Sequence, residues 1–195
     1  VELFRFEGGV MSLFDDDGNA SPPFAGYPWR SGLALVVPKA TNTKLQWFTS
    51  WVAAMTHLRL VPSAISGRAA TEERWLESTG ANFANFYRYL SHQAPKTLDD
   101  ARKRLAKVVD GFASLSVGGD AGGFLRTRFR GPGGPLFDLA FTQLSDGHRA
   151  LFVLYVVLAA AKGASRLLLL DEPENNVAPE EFQPFVSDLL DCASG

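Results

Sequence analysis

The chain holds one cysteine, Cys192, and three histidines, and none of its six lysines follows a glycine. A single thiol excludes an internal disulfide framework and fits a reducing compartment, so the expected location is cytoplasmic. Without Gly-Lys followed by Ser or Thr, no self-contained phosphate-binding loop is encoded. Charge of one sign is lacking too. The net charge of −2 gives no bulk electrostatic reason for tight nucleic-acid or membrane binding. The longest apolar run, residues 150–161, falls well short of the roughly 20 residues a bilayer requires. It reads as a buried helix, and no membrane partner is expected. The first residues, VELFRFEGGV, lack the basic start, apolar stretch and small-residue cleavage site of a secretory leader. Apolar residues at 46% and charged residues at 21% are those of a globular protein with a core, which excludes disorder. No internal repeat or low-complexity tract is present. Both ends read as cuts through a larger protein.

VELFRF and VMSLF read as strands around a turn at Gly8 and Gly9, and residues 15–31, acidic and then rich in Gly and Pro, as a loop. LALVVP at 33–38 reads as a further strand ending at Pro38. Residues 45–58 have helical spacing, with Trp47, Trp51 and Met55 on one face; that face is taken as core rather than as a base-stacking platform. From about residue 70 to 116 the character is helical and more charged. Thr97, with Asp100 three residues on, is placed as a helix cap, and Gly111 as its stop. Arg102, Lys103, Arg104 and Lys107 could meet a polyanion; the reading taken is a solvated face balanced by Asp99 and Asp100. FLRTRF and LFDLAF flank RGPGG and predict an antiparallel hairpin. Arg126, Arg128 and Arg130 fall at two-residue intervals, hence on one face. They could bind phosphate or another subunit, against the plainer reading of a solvent-facing side.

The most informative stretch is LSDGHRALFVLYVVLAAAKGASRLLLLDEPENN, residues 144–176. Ser145 is placed to cap a helix opening at Asp146 or Gly147 and running, apolar nearly all round, to about Ala161, where Lys162-Gly163 ends it. A short loop then feeds RLLLL, whose unbroken apolar run predicts a fully buried strand in a parallel sheet. Such sheets bind ligands beyond the carboxyl ends of their strands, where Asp171 and Glu172 are delivered. A helix N-terminus with a hydroxyl and a glycine can meet a phosphate closely. Adjacent carboxylates at a strand tip suit a cation and an attacking water.

In this order and spacing the two motifs resemble the signature motif (LSDGHRAL) and the Walker B segment (RLLLLDEPENN) of an ABC-type ATPase of the RecF/SMC/OLD-like group, over roughly residues 75–195. The resemblance implies an α/β fold, a partial P-loop NTPase head with a helical insertion. Residues 1–70 would form a β-rich part of the head with one helix, 71–116 the helical insertion, and 117–195 the signature and Walker B lobe. It implies ATP and Mg²⁺ as cofactors. Asp171 would hold the metal through a water, and Glu172 would polarise the attacking water. Leu144, Ser145, Asp146 and Gly147 would meet ATP bound to a second copy, so that a homodimer forms on ATP. DNA or an associated nuclease are further partners the resemblance leaves open, with DNA repair or phage defence as settings. Asn176, Val177 and Ala178 depart from the Gly-Leu-His usual after the Walker B segment, and His148 stands where Gln or Thr is common. No histidine follows His148 in these residues, so the switch histidine the resemblance implies is not expected within this stretch. This chain alone, without the Gly-Lys loop, is expected to be inactive. Two other readings stand beside this one: a non-catalytic interaction module that keeps the fold and has lost nucleotide chemistry, and an unrelated α/β domain.

Overall fold

A computed structural model describes residues 2–26, 33, 36, 37, 39–118, 123–162 and 167–194. The strand expected at 33–38 and the loop at 163–166 lie largely outside the described residues. The chain is mixed α/β with small sheets. It divides into two units, residues 1–55 with 165–167, and residues 56–164 with 168–195.

In the first unit, β1 (Phe4–Glu7) and β2 (Val10–Leu13) pair antiparallel, with β3 (Phe24–Ala25) added beside β2. The two-residue turn needs positive φ at both central positions, and Gly8 (57°) and Gly9 (79°) supply it. Helix α1 spans Thr43–Ala53 and has no cap from its own flank. Asp16 takes that role from the acidic loop: its carboxylate accepts from the Thr43 N–H (2.8 Å), the Thr43 hydroxyl (2.5 Å) and the Lys44 N–H (2.9 Å). These bonds, the Thr43 hydroxyl first, hold Asp16 below the usual carboxylate range. The expected aromatic core stripe is not observed. Leu45 is the buried residue of α1, while Trp47 is 64% exposed and stacks on Trp51 at 6.3 Å. The helix stops three turns in, because residues 56–58 leave it to form a strand.

The second unit is built on helix α4 (Asp146–Ala161), given with β4 (Thr56–Leu58), α2 (Phe83–Gln93), α3 (Pro95–Val108), β5 (Phe112–Gly118), β6 (Phe124–Arg130), β7 (Leu136–Ala140), β8 (Leu168–Leu170) and α5 (Pro179–Ser194). Every residue of α4 from Ala150 to Ala159 is buried, as its all-round apolar sequence requires. Helices α3 and α5 pack on it. Phe152 joins it edge-on to Phe112 of β5 (5.0 Å) and to Phe141 after β7 (5.9 Å), and Tyr155 meets Phe185 of α5 at 5.4 Å. Each such buried side chain contributes about 1.5–3 kcal/mol. Arg104, read as part of a solvated face, instead bridges α3 to Asp188 of α5 at 2.5 Å. Helix α3 begins at Pro95 behind Ala94, so Thr97 lies in the first turn and is not the cap; proline at the first position already supplies the helical φ.

Strands β5, β6 and β7 form an antiparallel sheet in that order, with the expected hairpin turning through residues 131–135. Along β6 burial alternates strictly: Leu125, Thr127 and Phe129 face the core, and Phe124, Arg126, Arg128 and Arg130 face out. The solvent-facing reading of the three arginines holds. Strand β8 departs from its expectation. It is only three residues long, runs parallel to β4, and leaves Leu169 45% exposed rather than buried on both faces. Among the described residues the run meets a single partner strand, with Leu168 and Leu170 packed against the core and Leu169 on the open side.

Two measurements test this packing. Gly111 has φ of 69° and an added Cβ would lie 2.7 Å from the Arg130 carbonyl, whereas at Gly133 (φ 85°) it would meet open space. Gly111→Ala should therefore lower the unfolding free energy measured in urea by more than Gly133→Ala, by about 1–3 kcal/mol against about 1. Burial pushes the phenols of Tyr87 and Tyr155 up to about 12. The folded state thus holds those protons more tightly than the unfolded chain, so stability present below about pH 10 falls as pH rises toward 12. Tyr155→Phe should shallow that decline, and should gain stability at neutral pH because the buried Tyr155 hydroxyl has no hydrogen-bond partner among the described residues.

Candidate functional site

The site grows from the two ends of the helix–strand pair. At the first, Ser145 caps α4: its hydroxyl oxygen accepts the His148 N–H at 3.2 Å, leaving the hydroxyl hydrogen free to donate outward. Leu144 is buried and anchors the approach to the helix. Asp146 is exposed and pairs with Arg149 one turn on. Gly147 is buried. A Cβ there would collide with the Asn176 carbonyl oxygen and would sit 3.4 Å from the Val177 Cα. The space a side chain would need is taken by this chain's own loop, a reason for the glycine that the motif reading had given to phosphate approach.

At the second end, the Asp171 N–H donates to the Leu58 carbonyl at 2.8 Å and extends the β4–β8 ladder by one step. The ladder thus delivers Asp171 and Glu172 just beyond the carboxyl ends of two parallel strands. Both are exposed. Asp171 lies 3.6 Å from the Arg59 guanidinium, supplied by the residue after β4. Glu172 adopts φ of 49°, a left-handed conformation that costs a non-glycine residue about 1–2 kcal/mol. A turn holds it there: the Asn175 N–H donates to the Glu172 carbonyl (3.1 Å) and the Asn175 side-chain amide to its carboxylate (2.8 Å). Asn176 follows at φ 67°, a conformation asparagine tolerates. Pro179 then opens α5, with Glu180 and Glu181 in its first turn where a helix N-terminus favours acids.

The two ends meet. The loop after Glu172 seats Asn176 on Gly147, and the His148 ring (Nε2) lies 3.0 Å from a Glu181 carboxylate oxygen, tying the start of α4 to the start of α5. Ser145 and Gly147 are thereby brought onto the same small assembly as the Asp171–Glu172 loop. His148, read as a surface residue, is half-buried in that tie. Three residues escaped the sequence reading: Arg59, Asn175 and Glu181. Only Asn175 carried a local signal, since paired asparagines after an acid favour a turn; Arg59 comes from more than a hundred residues before Asp171, and Glu181 acts on His148, 33 residues before it.

Among the described residues no group of three or more His, Cys, Asp or Glu side chains converges on one point. Magnesium does not require one, because it takes one or two carboxylates and completes its shell with waters and substrate phosphates. The exposed Asp171 carboxylate at a strand tip fits that demand, with Arg59 as its competitor. The cavity of about 500 Å³ between α2, the start of α3 and β5 is lined by none of these residues. Comparison with protein-family models, with curated proteins and with solved structures gives no match.

Opposite stability effects are expected at the two ends. Gly147→Ala must displace the Asn176 backbone and should cost about 2–4 kcal/mol in urea unfolding. Glu172→Gly relieves the left-handed φ and should be neutral or gain up to about 1 kcal/mol. A destabilised Glu172→Gly would mean that the carboxylate–Asn175 turn outweighs the backbone strain.

Proposed function

We propose that this chain is part of an ABC-type ATP-binding head, a partial P-loop NTPase whose site is completed by a second copy. The observation that supports this most is the juxtaposition just described: a capped helix N-terminus and a pair of strand-tip carboxylates, both exposed and held together through Gly147 and Asn176. An enclosed site would bury them. A site closed by another surface leaves them open.

In this reading Ser145 donates its hydroxyl hydrogen, and the N-terminal amides of α4 point, toward a γ-phosphate held mainly by the other copy, with Leu144 and Asp146 framing the motif. Asp171 would hold Mg²⁺, which would supply positive charge against the triphosphate. Glu172 accepts a proton from the attacking water, its strained backbone fixing the carboxylate against the Asn175 turn. From Asp171 to Gly195 there are seven acids and no Lys, Arg or His, so positive charge at the strand tip has to come from outside this segment. One observation favours the second reading, a non-catalytic module: Arg59 already places a cation beside Asp171.

Three experiments test the reading, the first two of which separate it from the non-catalytic module. In a protein carrying this chain together with a Gly-Lys-Ser or Gly-Lys-Thr loop, Glu172→Gln should keep ATP binding, lower turnover by about 10² or more, and accumulate an ATP-bound dimer on sizing columns. Turnover within about a factor of two of the parent rejects Glu172 as the base. Ser145→Arg in the same protein should spare nucleotide binding and abolish ATP-driven dimerisation; dimerisation at the parent level removes the composite site. The present chain alone should show no ATPase activity and only weak Mg-ATP binding by calorimetry, because the backbone cradle and lysine that hold triphosphates are not encoded. Saturable micromolar binding would overturn the assignment of this chain as the partial half.

A further inference from the structure

The outward face of the β5–β6–β7 sheet carries a second, separate chemistry. On β6 it presents Phe124, Arg126, Arg128 and Arg130. The register sets Ser116 opposite Arg126 and Ser114 opposite Arg128 on one side, with Asp138 opposite Arg128 on the other. Beyond Ala140 the chain leaves the sheet, and Arg68 takes the vacated place, bridging antiparallel to Phe124. Directly paired residues share a face, so Arg68 joins the stripe. Among the described residues of this face, four arginines and two serines stand against one carboxylate, Asp138, which binds Arg128 through both oxygens at 2.6 and 2.9 Å. No ion pair engages Arg68 or Arg126 among the described residues. Shallow depressions of about 430 and 380 Å³ flank Arg126 on its two sides. All this lies on a chain whose net charge is −2, so the excess is local.

We infer that this face binds single-stranded nucleic acid. Alternate residues on a strand recur every 7 Å or so, a spacing over which guanidiniums can follow successive phosphates of an extended strand. Phe124, 52% exposed at the head of the stripe, offers a ring to stack on. A base can stack on that ring only when it is unpaired, which favours a single strand over a duplex. An acidic peptide would use the arginines and ignore the ring. The two serines add hydroxyl donors to phosphate oxygens beside Arg126 and Arg128.

The test is fluorescence anisotropy of a labelled oligothymidylate with the whole chain, without ATP or Mg²⁺, so that its outcome is independent of the nucleotide reading. Three phosphate contacts on a single strand give a log–log salt slope near −2, an affinity loss of about 20-fold between about 50 and 200 mM salt. Arg126→Ala and Arg68→Ala should each weaken binding at low salt and flatten the slope by about 0.7. Phe124→Ala should weaken it about tenfold with the slope unchanged. Lys103→Ala, an equal charge change on α3, should leave both unaltered. Absence of saturable binding at low salt overturns the inference, as does binding indifferent to Phe124→Ala or matched by polyglutamate.

Discussion

Helix α4 imposes the constraint on which the larger unit depends. A helix apolar around its whole circumference cannot lie on a surface, so it must be enclosed on every side. Here α3, α5, Phe112 and Phe141 share that task. Once the helix is enclosed its N-terminus has nowhere to drift, and the Ser145–Gly147 turn is fixed in space by residues a turn or more away. The enclosure is imperfect at two places, where the Arg149 Nε and the Tyr155 hydroxyl are buried without a hydrogen-bond partner among the described residues. Polar groups left in this way are tolerated when the surrounding apolar gain exceeds their desolvation, about 1–3 kcal/mol.

Charge in this unit is segregated by element. The segment from Asp171 onward carries no basic residue of its own and finds its ion-pair partners elsewhere, in Arg59, Arg104 and His148, while the outer face of the small antiparallel sheet is basic with a single carboxylate among the described residues. A net charge near zero conceals both. Bulk charge therefore argued against polyanion contacts at the level of the whole chain and had no bearing on either surface, because screening confines electrostatic reach to roughly 8–10 Å.

What the sequence revealed and what it hid follow one rule. Features set within a few residues were legible: the Gly8–Gly9 turn, the Ser145 cap, the span of α4, the hairpin around residues 131–135 and the outward arginines of β6. Features decided by a distant partner were not. The apolar run at β8 was compatible with full burial, and its actual exposure depends on β4, more than a hundred residues earlier. The Trp47 stripe had helical spacing, but spacing names a face without saying that anything covers it. Asp16, read as part of an acidic loop, caps a helix 27 residues on. In the candidate site the two carboxylates and the helix cap were visible from the chain alone; Arg59 and Glu181, which set their surroundings, were not.

The contact between Gly147 and the Asn176 carbonyl bears on how substitution histories should be read. A glycine in such a motif is commonly valued for what it lets a ligand do. Here a lineage could discard every trace of nucleotide chemistry and still be unable to replace this residue, because its own loop occupies the space. Invariance at position 147 would record the survival of a fold. Persistence of an acid at the strained position 172, where glycine fits the backbone better, would record the survival of a use.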